Sequence, residues 1–114
     1  MSTTDHPSEQ DHVYRTDKFI VPPAARAEFL QMVRQTHEVL RKQQGFVRDL
    51  ILEQRSGPGA FNVVTIAEWE SEAVVHDVRA AVAAYHASIG FDPAEMMEQL
   101  GITADIGIYS AAKI

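Results

Sequence analysis

The stretch Phe61 to Glu70 limits the fold more than any other part of this chain. It is rich in β-branched and aromatic residues, the composition of a strand. Phe61, Val63, Thr65, Ala67 and Trp69 share one face, and Val64 and Ile66 share the other. The preceding run, Phe46 to Arg55, behaves alike, with Phe46, Leu50 and Leu52 opposite Val47 and Ile51. A sheet wetted on one side alternates cleanly between apolar and polar residues; strands covered on both sides do not. Ser56-Gly57-Pro58-Gly59 lies between the two runs as dense turn chemistry and predicts a hairpin.

The remaining elements follow from period and punctuation. Val13 to Val21 reads as a first strand, stopped by Pro22-Pro23. Phe29, Val33, Thr36, His37 and Leu40 recur at helical spacing through Ala24 to Gln43, and Gly45 ends that helix. Ser71 is placed to cap a second helix with the stripe Val74, Val78, Ala81, Val82, Tyr85 and Ile89, closed by Gly90. Asp92-Pro93-Ala94-Glu95 has the form of a capping box and opens a short helix to Leu100; Ile102 to Tyr109 is the last strand. The order β-α-β-β-α-(short α)-β predicts an α+β domain on the ferredoxin-like βαββαβ plan, with an antiparallel four-stranded sheet.

Two main helices cover one face of such a sheet, so a second copy of the chain is expected on the other. Leaving several hundred Å² of apolar sheet in water costs about 10 kcal/mol at about 25 cal/mol per Å², more than a domain of marginal stability can lose. The competing expectation is that the short helix or the C-terminal tail covers that face.

The 114 residues suffice for one domain, expected over 13–114, after a polar tail over 1–12 that is expected to stay unordered. A net charge of −6 speaks against nucleic acid and anionic membrane surfaces as partners. With 0 cysteines there are no disulfides, thiolate metal sites or thiol nucleophiles. No apolar run approaches the ~20 residues of a membrane span, and the N-terminus lacks the order of a secretory signal, so a cytoplasmic location is the expectation.

Several motifs, in order, carry a family resemblance. Asp17-Lys18-Phe19-Ile20-Val21-Pro22, Gly45-Phe46-Val47 with Asp49, Gly57-Pro58-Gly59-Ala60-Phe61-Asn62, Val64-Thr65-Ile66-Ala67 with Trp69, and Gly90-Phe91-Asp92-Pro93 before Leu100-Gly101-Ile102 together resemble the antibiotic biosynthesis monooxygenase family. The resemblance runs from about Val13 to Tyr109. It implies a dimeric α/β barrel with a cavity between the sheet and helices of each subunit. It also implies a cofactor-independent monooxygenase acting on a small aromatic or quinol-type molecule. The alternatives are a non-enzymatic small-molecule-binding dimer of the same fold, or an isomerase or degradation enzyme for a small oxygenated metabolite.

Oxygenation without metal or flavin draws its electrons from the substrate, so the protein needs a base, donors for the resulting anion and a dry cavity. His86, Asp17 and Asn62 are the expected catalytic residues, and Trp69, His37, Tyr85 and Tyr109 the expected substrate-binding ones. Each has a bland counterpart. His86 and His37 are also readable as helix-edge histidines, Asp17 as an ion pair with Arg15, Trp69 as core packing, and Asn62 as a hairpin backbone cap. His76 is expected on the surface, and His6 and His12 in the tail. His37, His76 and His86 lie on two helices without an i, i+4 pair, so no metal and no cofactor are expected. The heme-degrading branch of the superfamily uses an Asn, a Trp and a His. Asp17, Val78 and Ser88 fall at those positions, with His86 reachable only through a gap, and heme degradation is disfavoured.

Overall fold

A computed structural model describes residues 11–114. The elements are β1 (Val13–Ile20), a 3-10 turn (Pro23–Ala25), α1 (Arg26–Arg41), β2 (Phe46–Glu53), β3 (Val63–Trp69), α2 (Glu72–Ser88), α3 (Pro93–Leu100) and β4 (Thr103–Tyr109). The strands form one sheet in the order β2-β3-β1-β4, and every neighbouring pair is antiparallel. This is the ferredoxin-like α+β arrangement that the sequence predicts. Among the described residues no helix is long and apolar enough to cross a membrane.

Local chemistry sets the helix ends. Ser71 Oγ accepts from Val74 N, and Asp92 Oδ1 accepts from the Ala94 and Glu95 amides, so both caps act as expected. Gly101, at φ 72°, closes α3 in the left-handed region. On α1 the buried residues are Phe29, Val33 and His37, spaced four apart. On α2 they are Val75, Val78 and His86, so the inward stripe is rotated from the expected one and Ile89 is exposed. The rotation brings His86 inward.

The sheet's helix-side face carries Val13, Arg15, Asp17 and Phe19 of β1 beside Trp69, Ala67, Thr65 and Val63 of β3. Two apolar clusters build the core on this side. One joins Phe19, Val21, Phe29, Val33, Val63, Met96 and Ile102, with the Phe19 and Phe29 rings edge to face at 4.8 Å. The other joins Val13, Ala67, Trp69, Val75 and Val78.

One strand departs from its expected alternation. The register between β2 and β3 slips between Phe46 and Arg48, so Phe46 opposes Trp69 while Leu50 and Leu52 oppose Ile66 and Val64. Phe46 therefore lies on the helix side, its ring edge to face with Trp69 at 5.4 Å, and does not share a face with Leu50 and Leu52. The extra residue, Val47, is a β-bulge, which sequence parity alone cannot register.

The opposite face carries Tyr14, Thr16, Lys18 and Ile20 with Val64, Ile66, Leu50, Leu52 and Tyr109. Ile20, Leu50, Leu52 and Tyr109 are exposed there. Neither α3 nor the C-terminal residues cover them. Within this face Glu68 is nevertheless buried, bonded at 2.7 Å to His12 Nδ1 through one oxygen and to Arg48 Nε through the other. His12, expected in the unordered tail, is thus held against the sheet; His6 lies outside the described residues.

Candidate active site

A cavity of about 560 Å³ opens between the sheet and helices α1 and α2, in the gap separating the two core clusters. Its volume falls in the range of about 300–1,000 Å³ usual for small-molecule sites. Phe19, Val33, Leu40, Trp69, Val78 and Phe91 supply apolar wall. Arg15, Asp17, Thr36, His37, Thr65 and His86 supply the polar groups, and Arg79 and Asp92 also reach the lining.

Asp17 comes from the middle of β1, where alternation turns it toward the helices beside Arg15. The expected ion pair is present: Arg15 Nε donates to Asp17 Oδ1 at 2.7 Å. Burial outweighs that pairing and pushes the Asp17 carboxyl above the usual aspartate value.

His86 reaches the cavity from the last turns of α2. Its Nε2 lies 3.1 Å from Thr36 Oγ1, and the Phe91 ring meets it edge to face at 5.2 Å. Burial lowers the His86 pKa, which keeps the ring neutral near pH 7. Thr36 Oγ1 also lies 3.5 Å from Met32 Sδ as donor.

His37 projects from α1 toward β1 and β2. Its Nδ1 is 2.7 Å from Asp49 Oδ2, and Arg41 contacts the same carboxylate at 3.0 Å through a second nitrogen. Burial acts to raise the Asp49 pKa, but the hydrogen bonds from His37 and Arg41 prevail and hold it below the usual value.

Four of the seven expected site residues, Asp17, His37, Trp69 and His86, line one cavity. The other three lie elsewhere. Asn62 donates its Nδ2 to Val21 O and accepts from Val21 N through Oδ1, both at 2.8 Å, tying the hairpin end to the end of β1. Tyr85 precedes His86 on the same helix and so turns to a different side, where it lines a smaller depression against α1. Tyr109 pairs with Tyr14 on the far face of the sheet, 47% exposed. Of the residues that sequence reasoning did not single out, Thr36 was read only as part of the α1 stripe. Asp49 entered only through its motif, although its parity with Ile51 on β2 points it toward the helices. Among the described residues no group of three or more His, Cys, Asp or Glu side chains could hold a metal ion.

Known proteins share this architecture. SnoaB from Streptomyces nogalater, a cofactor-independent oxygenase, superposes with a TM-score of 0.65 at 25% identity, over 91% of this chain and 96% of its own. A conserved protein from Methanosarcina mazei Go1 reaches 0.69 at 17% identity, over 91% and 96%. MhuD, a heme degrader from Mycobacterium tuberculosis with two hemes bound in its active site, reaches 0.65 at 18% identity, over 90% and 97%. No curated protein matches the chain. The family model for antibiotic biosynthesis monooxygenase matches residues 13–88, which carry β1 through α2 and most of the cavity wall. The chain belongs to the antibiotic biosynthesis monooxygenase family.

Proposed function

We propose that this protein is a cofactor-independent monooxygenase that oxidises a small aromatic or quinol-type substrate and works as a homodimer. The observation that carries the reading is the cavity itself. It is apolar along most of its wall, with Trp69 and Phe91 in its lining, and it holds His86, whose pKa burial lowers, and a second histidine, His37. A flat aromatic molecule fits such a space, and loss of its phenolic or enolic proton there produces an electron-rich anion able to reduce dioxygen. The family match and the likeness to a cofactor-independent oxygenase support the same chemistry.

For an anthrone the net change is that its ring CH₂ group and O₂ become a C=O group and water. The carbon loses two C–H bonds, one oxygen atom stays on carbon and the other leaves as water. The cavity's part is to bind the ring, take the first proton and keep bulk water from the anion. The reading predicts oxygen consumption with anthrones or hydroquinones in metal-free buffer. His86→Ala lowers that rate about tenfold or more, the scale on which positioned proton-transfer and donor groups act. Ligand binding without oxygen uptake in wild type would instead identify a binding protein or an isomerase of the same fold.

Heme is the second ligand to test. His86, rather than the surface position Ser88, opens on the cavity, and a heme degrader shares the fold. Heme titration separates the branches: a Soret shift lost in His86→Ala assigns heme to this cavity, and an unshifted Soret band assigns the cavity to other ligands.

The dimer reading stands on the outer sheet face, where Leu50 is 48% and Leu52 43% exposed at one edge and Ile20 and Tyr109 are exposed farther across it. A second copy presenting the same face buries both surfaces at once.

A further inference from the structure

We infer that His37 is the base that ionises the substrate, and that Asp49 is the positioning residue that makes it one. This rests on the reading of the cavity as a site for a phenolic or enolic molecule. It goes further by assigning the proton transfer to one of the two cavity histidines.

The two rings are held differently. The one side-chain hydrogen-bond partner of His86 among the described residues is a hydroxyl, Thr36 Oγ1, and it has no carboxylate partner there. A proton placed on it would have no nearby anion to offset the charge. His37 meets a carboxylate: Nδ1 and Asp49 Oδ2 are 2.7 Å apart, with the two side chains 7% and 11% exposed. A carboxylate accepts and cannot donate, so Nδ1 carries the hydrogen, and in the neutral ring the lone pair is then on Nε2. Nε2 has no hydrogen-bond partner among the described residues, and no buried side-chain nitrogen or oxygen there is left unpaired, so Nε2 is not sealed into the core. His37 lines the cavity, and with Nδ1 taken by Asp49 it has Nε2 to present there. An imidazole fixed in this tautomer by a buried carboxylate is the arrangement of a general base.

The remaining charges around His37 are consistent with that role. Arg41, on the same helix, anchors Asp49 from the solvent side. Asp17 on β1 faces the same cavity but is engaged by Arg15. His86 and Arg79 on α2 and Asp92 at the start of α3 stand across the lining, and Asp92 is committed to capping α3. Among the described residues Asp49 alone is hydrogen-bonded to the His37 ring, and Asp17 interacts with it only through charge. In the proposed step the substrate O–H bond breaks, its electron pair stays on oxygen, and the proton bonds to His37 Nε2. Asp49 then faces an imidazolium, and the imidazolium faces the new phenolate.

The test uses alizarin, a hydroxyanthraquinone that absorbs at longer wavelength once ionised and that needs no oxygen to report. Bound to the wild-type protein it should ionise at lower pH than in water, with at least a tenfold increase in its acid constant. His37→Gln and Asp49→Asn should abolish the increase, and His86→Gln should retain it. Arg41→Gln, an exposed change, leaves the Asp49 carboxylate to His37 alone and should favour ionisation further. It decides the matter if Asp49→Asn does not fold. The inference is overturned if wild type binds the dye un-ionised or not at all, or if the increase survives His37→Gln. It is equally overturned if the increase disappears with His86→Gln instead, or if Arg41→Gln leaves it unchanged or smaller. Oxygen uptake with an anthrone, measured on the same samples, keeps the two readings apart. Uptake without His37-dependent ionisation sinks the base and leaves the monooxygenase; ionisation without uptake does the reverse.

Discussion

Asp17 and Glu68 lie on opposite faces of the same sheet, and their surroundings push the two carboxyls in opposite directions. For Asp17 burial dominates, and the hydrogen-bonded Arg15 with the nearby His37 is too little to offset it, so its pKa rises above 3.8. For Glu68 burial acts the same way, but His12 and Arg48 bond one oxygen each, and together they hold its pKa below 4.5. The consequences for stability have opposite signs. Glu68 contributes stability above pH 4.5, lost as the pH falls through its lower native value. Asp17 costs stability as the pH rises through its elevated native value, because the folded state favours the protonated form. Glu68→Gln is therefore expected to lose about 2 kcal/mol at neutral pH and little in acid, the scale of hydrogen bonds to a charged group. Asp17→Asn is expected to raise the melting temperature at neutral pH and to flatten its dependence on pH, while lowering turnover. Urea unfolding across a pH series checks both signs. A carboxylate kept in the cavity at a cost in stability is what a functional site does.

At the scale of elements, the sequence was most legible where period and punctuation agree. The strands, the caps at Ser71 and Asp92 and the order of elements followed from residue types alone. Less was legible where one extra residue or one helical step decides the outcome. The bulge at Val47 moves Phe46 across the sheet to Trp69, and alternation counted from either end cannot locate it. Tyr85 and His86 are adjacent on α2, so only one can enter the cavity, and the apolar stripe favoured the tyrosine side while packing favours His86. The contact between His37 and Asp49 joins a helix to a strand, and no local pattern announces it. The turn from α1 into β2 is a point of strict demand. Gly45 has φ +90°, and a Cβ there would come within 2.7 Å of Val74 on α2. Gly90 also has positive φ, +65°, but nothing lies within 4 Å of its Cβ position. Gly90→Ala should cost about 1 kcal/mol, the left-handed penalty alone, and Gly45→Ala about 3 kcal/mol or more, because the helix must also move. Equal losses in denaturant melts would contradict this account of the turn.

For the whole molecule, the sheet has one face committed to a cavity and one face rich in exposed apolar side chains. The self-association reading predicts a specific variant. Leu50→Glu places a charge among Leu52, Ile66 and Val64 on the outer face and touches nothing in the helix-side core. It should convert a dimer to a monomer in sedimentation equilibrium while leaving the far-ultraviolet dichroism intact; a wild-type protein that sediments as a monomer at micromolar concentration contradicts the reading. The cavity lies within a single chain, so the chemistry is judged separately. The most direct test supplies isotopically labelled dioxygen with an anthrone in metal-free buffer and reads the product by mass spectrometry. The account predicts a quinone carrying one labelled oxygen atom per turnover, with the second label in water. A product without label, or no product beside a bound substrate, contradicts it.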